Sequence, residues 1–258
     1  MPCYHPRNAY RGTNGVVSLR EPSAETADGF EVLGIPCGYC IGCRVRQARD
    51  WALRCNLEAA EHEESCWVTL TYDDSHLPPS GFLVKDHLSG FLKRLRARVY
   101  PHRVRFFGCG EYGEQTRRPH YHAILFGLRN SPQIQASWPF GFAREDPLTP
   151  EAISYVAGYV GKKIGFKAEA GERVDYRTGE IYKFQPEFIQ MSRRPGIGGD
   201  KREHWRSWRD HAYHAGRQVG VPRFLHEAFK SNAEFLEKVE LEVERRRQAA
   251  ERDVPDRW

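Results

Sequence analysis

RVRFFGCGEYGEQTRRPHYHAILF, residues 103–126, decides how the rest of the chain is read. Two apolar runs, Val104–Phe107 and Ala123–Phe126, flank a turn-rich polar segment. Short apolar runs bounded by turn residues read as two strands. Alternation along the second strand sends His120 and His122 to one face. Two imidazoles on a rigid element can hold a divalent ion, although histidines so placed also serve as plain surface groups or close core hydrogen bonds. Glu111, at the end of the preceding strand, can add a carboxylate, with Glu114 as its rival. A His–His–carboxylate set with open positions suits Mg²⁺ or Mn²⁺ acting on a phosphate.

Further along lies SYVAGYVGKK, residues 154–163. Tyr155 and Tyr159 are four residues apart, so a helix presents both hydroxyls on one face. An aromatic stripe packed in a core is the common alternative, and Lys162 and Lys163 weaken it. A phenol is a poor nucleophile until its anion is stabilised. A nearby ammonium can stabilise either the phenolate or the charge of the transition state. A metal beside paired nucleophiles points to phosphodiester chemistry, with a 5′-phosphotyrosyl DNA and a free 3′-hydroxyl as products. The competing class is a zinc-containing DNA-binding protein without catalysis, which leaves the tyrosine pair unused.

Bulk properties permit this and exclude other classes. A chain of 258 residues has room for one large domain or one domain with appendages. Hydrophobic residues at 40% and charged residues at 28% fit a mainly globular chain. The net charge of +5, from 39 Lys and Arg against 34 Asp and Glu, points only weakly to nucleic acid. The local arginines say more: Arg44, Arg117, Arg118, Arg193 and Arg194 flank the motifs and can neutralise phosphates. Trp138, Tyr112 and Trp205 are candidates to stack on single-stranded bases. No apolar run reaches transmembrane length, and no basic segment followed by an apolar one opens the chain. An intracellular, reducing setting without a membrane partner is the expectation.

Seven cysteines cannot all pair within one chain. Cys37, Cys40 and Cys43 in PCGYCIGC, residues 36–43, have metal-ligand rather than staple spacing. A closed structural zinc site needs four ligands. Cys3 is the most natural fourth, with His5 and Cys109 as competitors, and ordinary free cysteines as the bland alternative. A redox role is disfavoured, because no thioredoxin-like strand precedes the motif.

The remaining elements follow from periodicity. Residues 1–36 read as an irregular extension, with Val16–Leu19 and Phe30–Leu33 as short strand candidates. Arg44–Ala60 and Lys85–Val99 have apolar residues at threes and fours and read as helices. Cys66–Tyr72, rich in β-branched and aromatic residues, is a strand. Residues 128–150 read as a loop-rich connection, and a helix starts at Pro150 and ends near Gly165. Val174–Lys183 reads as a hairpin and Phe184–Met191 as a strand. Residues 193–199 form a basic, glycine-rich loop without the Walker A pattern. His204–Arg217 and Pro222–Gln248 read as helices.

The ordered set PCGYCIGCR (36–44), WVTLTYDD (67–74), GEYG and RPHYHAILFG (110–127), YVAGYVGKK (155–163) and MSRRPGIG (191–198) resembles the HUH superfamily of single-strand DNA endonucleases. It is most similar to the replication initiation proteins of the Microviridae, of the gokushovirus type. The resemblance implies an α+β fold: a Rep-type antiparallel sheet flanked by helices, with a Cys-containing N-terminal extension and a helical C-terminal extension. The implied division is an extension with a zinc knuckle (1–43), an endonuclease domain (44–200) and a C-terminal extension (201–258). It also implies that His120, His122 and Glu111 hold the metal, that Tyr155 and Tyr159 are the nucleophiles, and that Lys163, or else Lys162, is the accompanying lysine. The expected activity is nicking and rejoining DNA at a viral replication origin in the cytoplasm of a bacterial host, with host helicase and polymerase as partners. One departure is the aromatic middle residue of HYH, Tyr121, which should point away from the metal.

Overall fold

The computed structural model describes residues 3–23, 29–163, 171–174, 178–199, 211–214, 217–226 and 241. The first three strands, β1 (Arg7–Arg11), β2 (Val17–Ser18) and β3 (Glu31–Ile35), form a small antiparallel sheet in the order β2-β1-β3. The N-terminal segment is therefore built, not irregular. β2 and β3 lie at the strand candidates Val16–Leu19 and Phe30–Leu33, whereas β1 escapes a hydropathy reading because it is mostly exposed, with Ala9 its buried residue.

Next come α1 (Ile41–Ala59), β4 (Ser65–Tyr72), α2 (Lys85–Val99), β5 (Arg105–Tyr112) and β6 (Pro119–Phe126). The two strands of the opening stretch run further toward their connection than their apolar runs suggested. Residues 113–118 alone form the turn. The segment expected as a loop contains α3 (Pro132–Ala136) and β7 (Gly141–Pro147). Pro132 starts α3 and the Ser131 side chain caps it by accepting from the Gln133 amide. β7 is polar and alternates between half-buried and exposed positions. An edge strand needs only one partner and tolerates a charged outer side, so it lacks the apolar signature of an inner strand.

α4 (Pro150–Lys163) is followed by β8 (Gly171–Val174), β9 (Ile181–Phe184), β10 (Phe188–Met191), β11 (His211–His214), β12 (Arg217–Gly220) and α5 (Arg223–His226). β8 and β9 pair antiparallel, as the hairpin reading expected. β11 and β12 also pair antiparallel. The helix expected over His204–Arg217 is therefore contradicted at 211–214 and 217: alternating residues in HAYH satisfy a strand as readily as a helix, and pairing decides. Residues 204–210, with Trp205, and most of the helix expected over 222–248 lie outside the described residues.

β10-β5-β6-β4-β7 form one five-stranded antiparallel sheet. Its two faces are read off β4, where Cys66, Val68, Leu70 and Tyr72 are buried and the residues between them less so. The first set joins Leu88, Phe91, Leu92 and Leu95 of α2, with Ile134 of α3, Tyr121 and Trp138. The opposite face carries Phe107, Ile124 and Phe126 against Ala52 and Cys55 of α1 and Ile153, Val156 and Ala157 of α4. α1 packs along α4 on this side. α2 begins with Asp86 and ends with Arg96 and Arg98, which suits the helix dipole.

Gly141 opens β7 where no other residue fits. Its φ is +147°, and a Cβ there would lie 2.4 Å from the Asp73 amide nitrogen.

A buried ion pair ties the second face together. Glu58 of α1, 2% exposed, accepts from Arg105 at the start of β5 and from the Gly198 amide at 2.7 Å. Arg105 also donates to the Pro195 carbonyl, and Arg54 to that of Ile197. The basic glycine-rich loop is thus pinned from below by its backbone. Replacing Glu58 by Ala leaves Arg105 and the Gly198 amide without their acceptor. The expected loss is about 3 kcal/mol of unfolding free energy, measured by chemical denaturation. A loss below about 1 kcal/mol, typical of a surface pair, would show that the pair does not anchor the loop.

Candidate metal centre and neighbouring tyrosine

Strand register builds the centre. Glu111 of β5 lies directly opposite His120 of β6, and His122 lies between Cys109 of β5 and Thr69 of β4. All three candidate ligands project from the α1/α4 face of the sheet. The Glu111 oxygen Oε1 is 2.7 Å from His122 Nε2 and 3.1 Å from His120 Nε2. Glu111 and His122 are 4% and 7% exposed, and His120 is half-buried. Glu114, the rival carboxylate, sits exposed in the turn and is not part of this cluster.

Each ring is oriented from behind. His120 Nδ1 is 3.2 Å from the Arg118 carbonyl, and His122 Nδ1 is 3.0 Å from Thr69 Oγ1. A carbonyl only accepts, so His120 carries its proton on Nδ1 and a neutral ring turns a bare Nε2 lone pair toward Glu111. A lone pair facing a carboxylate at this distance is repulsive unless a positive charge lies between them. Either a ring proton or a metal ion supplies it. Ligands at right angles about 2.1 Å from one ion are about 3 Å apart, which the two measured separations match. The donor set and its spacing therefore fit a divalent ion. The outer hydrogen bonds are those that orient metal-binding histidines.

Tyr121 does point the other way. Its hydroxyl donates to the Val84 carbonyl at 2.9 Å and lies 2.6 Å from that of Tyr72. Burial pushes both phenols above their ordinary pKa.

Tyr155 stands on α4 over the same face and is 50% exposed. Its ring centroid is 6.4 Å from that of His122 and 5.4 Å from that of Trp67. Trp67 in turn lies 5.5 Å from His122, so the three rings form a triangle in which each packs against the other two. Tyr159, Lys162 and Lys163 continue α4, with Tyr159 one turn beyond Tyr155. Their side chains lie outside the described detail. Trp67 and Thr69 were not singled out from the sequence. They share the outward parity of β4, but only the β4–β6 register shows which histidine they meet.

The second cluster is Cys3, Cys37, Cys40 and Cys43, whose sulfurs all lie within 4.8 Å of one another. Cys37–Cys43 and Cys40–Cys3 are 4.0 and 3.8 Å apart. Four sulfurs placed tetrahedrally at about 2.3 Å from zinc are about 3.8 Å apart, so the set fits a structural zinc ion. Cys40 precedes α1 and Cys43 lies in its first turn, so α1 sets their spacing. Backbone amides aimed at the sulfur, that of Cys43 first and then that of Tyr4, hold the Cys40 thiol down at about 6, whereas burial pushes Cys43 up to about 12. Cys109, a competitor for the fourth position, is buried in β5 beside His122 instead.

The arginines and aromatics divide. Arg44 is half-buried, and Arg117, Arg193 and Arg194 are exposed. Arg118 bonds Asp74 and the Tyr72 carbonyl. Trp138 is not a base-stacking candidate: it is 1% exposed, and its indole donates to the Thr71 carbonyl. Tyr112 is half-buried, with its hydroxyl between Gln185 and Leu83 and its ring stacked on Phe184. Large aromatics bury more apolar area than any other side chain, and here the core claims them.

Residues 65–164 match the family described as Replication-associated protein ORF2/G2P, a span that holds both histidines, Glu111 and the tyrosine helix. Replication-associated protein ORF4 of Chlamydia phage 1 is 32% identical over 60% of this chain and 46% of its own length. Replication-associated protein ORF2 of Spiroplasma virus 4 is 28% identical over 74% and 64%. Replication-associated protein VP4 of Bdellovibrio phage phiMH2K is 30% identical over 64% and 59%. The chain thus spans less than two thirds of each of these relatives. No solved structure matches. An antiparallel sheet flanked by helices, a His–His–Glu cluster on it and these similarities liken the chain to the replication-associated proteins of phages.

Proposed function

We propose that this chain initiates rolling-circle replication, as a gokushovirus-type initiator of the Microviridae that nicks and rejoins single-stranded DNA at a viral origin. The observation that carries the reading is the half-exposed Tyr155, held by α4 beside His122 of the Glu111–His120–His122 cluster. Residues 44–200 form the endonuclease domain, 1–43 a zinc-stapled extension, and 201–258 a further extension.

Glu111, His120 and His122 would hold Mg²⁺ or Mn²⁺, which would supply polarisation of the scissile phosphate. Arg118 and Thr69 orient the two imidazoles. Trp67 packs beside both His122 and Tyr155 and keeps one side of Tyr155 dry. The Tyr155 phenol oxygen attacks phosphorus, forming a new P–O bond as the bond to the 3′-oxygen breaks. The phenolic proton passes to solvent, and the departing 3′-oxygen takes up a proton from solvent to become a free hydroxyl. The DNA 5′ end stays on the enzyme as a phosphotyrosine. Lys163, with Lys162, stabilises the negative charge that builds in this step. Tyr159, one turn away, accepts a second strand without release of the first. Arg44, Arg117 and Arg118 steady the DNA backbone nearby. The free 3′ end primes a host polymerase, and a host helicase separates the strands, in the cytoplasm of the infected bacterium.

The test is an adduct assay with origin single-stranded DNA labelled on the 3′ side of the nick. With Mn²⁺ or Mg²⁺ the wild type should give a protein–DNA species that survives denaturation, and Tyr155→Phe/Tyr159→Phe should give none. No adduct from the wild type overturns the reading. His120→Ala and His122→Ala should each abolish metal-dependent cleavage. Thr69→Val, which removes only the bond behind His122, should raise the Mn²⁺ concentration for half-maximal cleavage about tenfold. Purified protein should carry about one equivalent of zinc, and Cys37→Ser/Cys40→Ser should lose it. A zinc content below about half an equivalent counts against the structural site.

A further inference from the structure

A basic cavity of about 850 Å³ lies at the end of the sheet away from the metal cluster. It opens where β5 begins and where the chain leaves β10. Arg96, Arg103, Arg105, Arg193 and Arg194 line it, and among its described lining residues none is acidic. Glu58, just beneath, is occupied with Arg105 and His62. Arg103, Arg193 and Arg194 are exposed. Arg96 donates to the Val104 carbonyl, a neutral partner, and its pKa is held down first by burial and then by neighbouring Arg105. The rim carries Tyr100, which is 84% exposed.

Crowded arginines whose one neighbouring carboxylate, Glu58, is taken by Arg105 are costly unless a further anion is shared among them. The Glu58 pair pins the Pro195 and Gly196 carbonyls from below, so the loop holds Arg193 and Arg194 at the rim. A ligand with one phosphate would not need so broad a basic surface, nor a bare aromatic beside it. Positive charge along a groove with an exposed ring is the arrangement that takes single-stranded nucleic acid, with phosphates on the arginines and a base on the ring.

We infer that this cavity is a second DNA site, gripping single-stranded DNA remote from the nick, with Arg103, Arg193 and Arg194 on phosphates and Tyr100 stacked on a base. The assignment rests on the nucleic-acid reading proposed above. Arg105 and Glu111 lie at opposite ends of β5. At ~3.4 Å per residue, that separates the two sites by about 20 Å. The bound strand is therefore held at two points, several nucleotides apart, and the groove determines which flanking segment accompanies the scissile phosphate.

The test uses the full chain and fluorescein-labelled single-stranded DNA of about 24 nucleotides, longer than the ~16 that one groove occupies. Binding is measured without divalent ions, so cleavage plays no part. In Arg103→Gln/Arg193→Gln/Arg194→Gln the affinity should fall at least about tenfold, and the slope of log affinity against log salt should flatten by about 2, for three lost phosphate contacts. Arg7→Gln/Arg20→Gln/Arg129→Gln removes the same charge from exposed positions outside the cavity and should change affinity less than about twofold. Tyr100→Ala should weaken single-stranded DNA and leave a duplex of equal length unaffected. If both triple variants behave alike while the wild type binds DNA, the cavity assignment is wrong and the nicking proposal stands. If the wild type binds neither single-stranded nor duplex DNA, with or without Mn²⁺, both fall. Preference for duplex with Tyr100→Ala silent overturns the single-strand assignment.

Discussion

The register between β5 and β6 is the constraint on which everything else depends. It sets Glu111 opposite His120 and brings Glu111 Oε1 to both imidazoles. A slip of one residue would carry every side chain of β6 to the other face. The histidines would then enter the apolar core under α2, and Tyr121 would take their place. The core prevents this: Tyr121, Ala123 and Leu125 are fully buried on one face, while Ile124 and Phe126 are buried on the other. Apolar packing on both faces therefore fixes a polar site in the middle of the sheet.

That site is costly in isolation. A carboxylate and an imidazole removed from water lose solvation that a neutral pair does not restore. A cation shared by Glu111, His120 and His122 would offset the loss, so burial and ligand chemistry point the same way here. The cysteine cluster follows the same logic in a different place. The small N-terminal sheet is exposed on most positions and buries little, so four sulfurs drawn to one point can hold what apolar area cannot. Glu58 is a third instance, with a buried charge tying α1 to β5 and to the loop 193–199.

Much of this was legible without coordinates where local pattern and burial agree. α2 matches its expected bounds, because its apolar spacing is helical and the face it buries is the one it displays. β4 was visible from its β-branched and aromatic run. The misses share one cause. β1 and β7 are exposed or edge strands whose hydrogen-bond partners, not hydropathy, make them strands. Trp138 was misread because an aromatic beside turn residues looks exposed until the core that encloses it is known.

By itself, the sequence determined the chemistry available: two histidines of one parity, a carboxylate on the preceding strand, tyrosines one helical turn apart, and cysteines at metal spacing. These follow from backbone periodicity, which is local and readable. Tertiary structure alone decided which groups meet. It chose Glu111 over Glu114, brought Cys3 to the other three cysteines and Cys109 to His122, and packed Trp67 against both His122 and Tyr155. It also gathered arginines from α2, β5 and the loop after β10 into one cavity. The reason is that contact between distant segments is set by strand register and by which face of the sheet is buried, and neither is written at any single position in the chain.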